Sequence, residues 1–114
     1  MTTFSSSRQR LDDHRGLIVL KGEVDIYTAP RFKEDLLALI DEGATDILVD
    51  LTQVEFIDST ALGVLIGGIK RLHPLDGRLL LIADTRPVLK IFAITGLDQV
   101  FSVYHDRDEA LAAL

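Results

Sequence analysis

The chain has no cysteine and no tryptophan, one methionine and three prolines among 114 residues. Without cysteine there can be no disulfide, thiolate metal site or thiol chemistry, so the core alone must hold the fold. The three histidines, His14, His73 and His105, are too scattered to form a ligand set and read as surface residues. No apolar run approaches the ~20 residues of a membrane-spanning helix, and the opening "MTTFSSSRQRLDD" lacks the apolar centre and cleavage pattern of a signal peptide. A cytoplasmic protein with no membrane partner is therefore expected. Positive charge is scarce as well: 12 basic against 18 acidic residues give a net charge of −6, which opposes the attraction to phosphates that drives nucleic-acid binding. Neither G-x-x-x-x-G-K-[ST] nor G-x-G-x-x-G occurs, and no cofactor or metal is implied.

What is present is a composition of 47% hydrophobic and 26% charged residues, spread along the whole length, as expected of one globular domain covering residues 1–114. "TFSSSRQRL" (3–11) and "RGLIVLKGEVD" (15–25) read as two strands close enough to form an antiparallel hairpin. From Thr28 to Glu42 the period becomes helical, with Phe32, Leu36, Leu39 and Ile40 on one stripe, Thr28 as a cap, Pro30 in the first turn and Gly43 at the end. "DILVDL" (46–51) and "RLLLIA" (78–83) are continuous apolar runs, as in strands covered on both faces. Helices are expected at 59–72 and 86–96, the second with Val88, Leu89, Phe92 and Ile94 on one face. A strand follows at "VFSVYH" (100–105), then a closing helix at 106–114 with Asp106 and Glu109 in capping-box spacing. Strands alternating with helices imply right-handed crossovers. The fold class is thus α/β, a mixed sheet of about five strands with an N-terminal antiparallel hairpin, the rest mainly parallel, and about four helices.

The stretch "FIDSTALGVLIGG" (56–68) carries three polar residues, Asp58, Ser59 and Thr60, where an apolar strand meets an apolar helix. Sites in parallel sheets gather at such strand ends. A cap needs only one polar residue, and either Asp58 or Ser59 would serve, for about 1 kcal/mol. At roughly 100° per residue, Ala61, Leu62, Leu65, Ile69 and Leu72 share the side facing the sheet, while Ser59, Thr60, Gly63, Val64, Gly67, Lys70 and Arg71 share the other. Each glycine on a helix costs about 1 kcal/mol relative to alanine. Gly63 and Gly67 therefore admit a close neighbour, either another chain or another element of the same domain.

"GEVDIYTAP" (22–30) and "FIDSTALGVLIGGIKRL" (56–72) resemble the two signature segments of the anti-sigma-factor antagonists, the small single-domain members of the STAS family. The resemblance covers nearly the whole chain. It implies a protein-binding switch: the unmodified antagonist binds an anti-sigma factor that is also a serine-protein kinase, is released when that kinase phosphorylates it, and is restored by a serine phosphatase. The implied phosphoacceptor is Ser59, with Asp25 and Asp58 as the signature acidic residues. Partner contacts fall on Asp25, Asp58, Ser59, Thr60, Gly63, Val64 and Gly67, and no residue is catalytic. Members commonly carry glycine where this chain has Ala61. The alternative is a non-switching STAS-type interaction module, a scaffold or sensor subunit whose Ser59 only caps. A receiver-like domain would need an acidic pair after the first strand, and Asp12 and Asp13 are followed by a second strand instead of a helix.

Overall fold

Ten residues of continuous and then alternating apolar character drive the longest early strand. In the computed structural model, which describes residues 3–114, β2 (Arg15–Val24) pairs antiparallel with β1 (Ser5–Arg10) from Ser5↔Lys21 to Arg10↔Gly16. Met1 and Thr2, the start of the expected domain, lie outside the described residues. β2 then pairs parallel with β3 (Asp46–Ile57), β3 with β4 (Arg78–Ile82) and β4 with β5 (Ser102–Tyr104), giving the order β1-β2-β3-β4-β5. Gly22, at φ +86°, lies beside one of two register shifts between β2 and β3, in backbone that a side chain would strain.

Because each parallel step moves one place in the same direction, right-handed crossovers put their helices on one face of the sheet. α1 (Ala29–Asp41), α2 (Ser59–Leu72) and α3 (Arg86–Thr95) occupy it. They bury Phe32, Leu36, Leu39, Leu65, Leu72, Val88 and Phe92 against Ile18, Leu20, Ile47, Val49, Leu79 and Leu81. α4 (Arg107–Ala112), the helix with no strand after it, covers the other face through Ala110 over Leu17, Leu48, Leu80 and Ile82. Here Asp50, only 5% exposed, accepts hydrogen bonds from Thr52 N (2.9 Å), Thr52 Oγ1 (2.7 Å) and Arg107 Nη2 (2.8 Å). Burial works against its charge, but these bonds outweigh it and hold the carboxyl below its ordinary range.

The alternating elements appear as the sequence implies, with four local corrections. Thr28 sits at the N-cap of α1 but makes no capping bond; its hydroxyl donates to Glu23 O (2.8 Å) and accepts from Asp25 N (2.9 Å). The segment starting "DILVDL" does not stop at Leu51 but continues as strand to Ile57. Ile94 is exposed, because six residues past Val88 a helix has turned through about 240°. Val100 and Phe101 precede β5 instead of joining it, and Phe101 packs edge-on against Phe92 with ring centroids 6.1 Å apart. Gly43 ends α1 at φ +102°, and Ala44 N returns to Leu39 O (2.9 Å).

Candidate functional site

Strand pairing brings the two polar loops together. Val24 and Ile57 are partners at the ends of β2 and β3, and Asp58 N donates to Val24 O (3.2 Å), so the turns that follow these strands stand side by side. In the second turn, Asp58 has extended backbone and its Oδ1 accepts from Thr60 N (2.9 Å) and Ala61 N (3.2 Å). Asp58 is therefore the cap of α2, and of the two residues the sequence offered for that role, Ser59 is not the one used. Ser59 opens the helix with its side chain exposed. Ala61 is fully buried, so its methyl points into the core and not toward the exposed face beside Ser59.

In the first turn, Asp25 Oδ1 accepts from Tyr27 N (2.9 Å), Thr28 N (3.1 Å) and Thr28 Oγ1 (3.2 Å). The carboxylate thus folds its own loop. That fold holds Ile26 63% and Tyr27 86% exposed, an apolar pair that no periodicity in the sequence marks out. Both belong to the short first turn, where neither a strand nor a helix pattern applies.

The glycines of α2 divide by direction. A Cβ on Gly63 or Gly67 would meet nothing within 4 Å, whereas one on Gly68 would lie 2.8 Å from Leu36 Cδ2 and 3.0 Å from Leu79 Cδ1. Gly68 is the residue that lets α1 and the sheet approach, and Gly63 and Gly67 admit no element of this domain. Sequence reasoning passed over Gly68, although its spacing of three from Leu65 and four from Leu72 places it on the inner face. With Thr60 and Val64, Gly63 and Gly67 line a groove of about 520 Å³ between α1 and α2, whose opposite wall includes Ala29, Pro30, Lys33 and Leu37. Asp12 and Asp13 do not join this region; they lie in the β1–β2 turn, at the other end of β2 from Asp25. Among the described residues no group of three or more His, Asp or Glu could hold a metal ion, and no helix is long and apolar enough to cross a membrane.

The family model of the STAS domain matches residues 7–110. The chain belongs to the STAS domain family. This STAS domain is 37% identical over 103 residues to an anti-sigma-B factor antagonist of Listeria monocytogenes, an alignment covering 90% of this chain and 89% of that relative. The crystal structure of an anti-sigma factor antagonist from Mycobacterium paratuberculosis superposes with a TM-score of 0.88 at 26% identity, over 97% of this chain and 93% of that one. Bacillus SpoIIAA in its phosphorylated form shares the fold, with a TM-score of 0.75 at 20% identity over 96% and 98% of the two chains.

Proposed function

We propose that this STAS domain is an anti-sigma-factor antagonist switched by phosphorylation of Ser59. Unmodified, it binds an anti-sigma factor that is also a serine kinase and so frees a sigma factor; phosphorylated, it lets go, until a serine phosphatase resets it. The observation that carries the reading is the division of labour at the start of α2. Asp58 makes the cap, which leaves Ser59 exposed beside an unfilled groove and the apolar Ile26–Tyr27 pair.

A phosphate on Ser59 adds about −1.5 to −2 charges. At a helix N-terminus the macrodipole favours negative charge, so the domain stays folded. Against a partner the same charge, next to Asp58, meets desolvation and like-charge repulsion, and each 1.4 kcal/mol weakens binding about tenfold. In this reading Ser59, Thr60, Gly63, Val64 and Gly67 form the docking face, Asp58 is both cap and acidic neighbour, and Asp25 acts by holding the loop that presents Ile26 and Tyr27.

The test is to incubate the protein with candidate anti-sigma serine kinases and ATP and to map the phosphate by mass spectrometry. One phosphate on Ser59 is expected. Ser59→Ala should bind the kinase and resist release, and Ser59→Asp should bind weakly, as a partial mimic with one charge where phosphate supplies nearly two. Phosphate on Thr60, or kinase-dependent release persisting in Ser59→Ala, would assign the switch elsewhere. Stable binding that ATP never reverses would favour the non-switching module.

A further inference from the structure

We propose that the groove between α1 and α2 receives an acidic amphipathic helix of the protein partner, an inference that rests on the docking role just proposed and specifies its chemistry. The groove is largely apolar and nothing of this chain enters it over Gly63 and Gly67. The charged residues that line it are both basic, Lys33 and Arg71, and neither takes part in the four ion pairs of the described residues. On a chain of net charge −6, a groove whose charged lining is entirely positive has the opposite sign to its surroundings. It selects an acidic occupant and repels a basic one.

The size of the occupant follows from the lining. Thr60 to Arg71 spans eleven residue steps, about 16 Å of helix axis or three turns. Glycine at positions 63 and 67 leaves two points of that floor without side chains, so a second helix can approach closely there and place apolar residues against Val64 and Leu37. The geometry also ties the occupant to the switch. Ser59 directly precedes Thr60 at one end of the groove, so a phosphate there carries the same sign as the ligand.

The probe is a synthetic peptide of about 15 residues held helical by a side-chain staple, with leucines at i, i+3, i+7 and i+10 and glutamates elsewhere; its twin carries lysines in place of the glutamates. Backbone amide shifts of the full chain should concentrate at Lys33, Leu37, Gly63, Val64 and Gly67. Affinity should fall about tenfold or more in K33E/R71E, weaken with added salt, and be lost in Gly63→Leu, where the new side chain fills open space. Equal binding of the lysine twin, no binding of the acidic peptide up to about 1 mM, or shifts outside the groove would overturn the proposal. So would the same amides moving with protein concentration alone, which would show a second copy as the occupant. Peptide binding without phosphate on Ser59 leaves this inference standing and removes the switch; phosphate on Ser59 without peptide binding does the reverse.

Discussion

Replacing both outward glycines of α2 by alanine should stabilise the domain while replacing the inward one should not. Gly63 and Gly67 lie in a helix interior with open space where a Cβ would stand. Each alanine gains about 0.8–1 kcal/mol of helix propensity, and because neither methyl meets a neighbour the gains should add to about 1.8 kcal/mol. With an unfolding entropy of about 2.1 cal/mol/K per residue, the 114 residues give about 0.24 kcal/mol/K, so Tm should rise by about 7 °C. Gly68→Ala gains the same propensity but forces a methyl to within 2.8 Å of Leu36 Cδ2 and 3.0 Å of Leu79 Cδ1. Overpacking of that kind costs about 2 kcal/mol, which leaves a net loss of about 1 kcal/mol. Circular dichroism during heating and urea unfolding reads both effects. A Tm for Gly63→Ala/Gly67→Ala at or below that of the wild type, or a gain from Gly68→Ala equal to theirs, would refute the division of the three glycines into docking and packing positions. If the outward pair is retained for docking, the stabilised double variant should also bind its partner less tightly.

Asp58→Ala should cost about 1 kcal/mol in urea unfolding, because it leaves Thr60 N and Ala61 N without their acceptor. Ser59→Ala should stay within about 0.5 kcal/mol of the wild type, since Ser59 takes no part in that cap; an equal loss from both would mean that the cap is shared. The carboxyl of Asp50 has a folded-state pKa depressed below 3.8, so its stabilisation is present at neutral pH and is lost as pH falls below that value through the folded pKa. Arg107→Met should raise that pKa, visible in a carboxyl NMR titration. It should also destabilise the domain at pH 7 by about 1–2 kcal/mol, a figure kept low because Arg107 is half exposed and Thr52 still donates two bonds. Phe92→Ala should be the most damaging of these changes, at about 3–5 kcal/mol in the same urea assay, because it empties the contact with Phe101 from the core.

Element type was legible wherever one period ran long enough. The stripe Phe32–Leu36–Leu39 and the runs 46–51 and 78–83 announced α1, β3 and β4, because burial on one or both faces imposes those patterns directly. The error at Ile94 arose where an apolar residue lies on the solvent side of a short helix, which composition cannot distinguish from the core side without the angle being worked through. Val100 and Phe101 failed differently: Phe101 is buried from a turn, where no alternation exists to be read. At the site, the exposed face of α2 was visible in the wheel of Ser59, Thr60, Gly63, Val64 and Gly67. The adjacency of Asp25 to Asp58 was not, since it depends on Val24 pairing with Ile57 across an intervening helix. The choice of Asp58 over Ser59 as cap was likewise beyond sequence, because both residue types accept the same hydrogen bonds and only backbone geometry at Asp58 decides between them.

The strand order β1-β2-β3-β4-β5 has a consequence for how the chain acquires its shape. Every strand pairs with its immediate predecessor, so no strand must be threaded between two already joined, and each loop that closes spans only one hairpin or one helical crossover. Closure entropy is therefore met in small increments. During synthesis the hairpin can form first, and each βα segment can then add to the edge of the sheet that faces the newly emerging chain. α2 packs on α1 and on β4, with Gly68 against Leu36 and Leu79, so the surface around Ser59 is complete once β4 has joined the sheet, before β5 has been made.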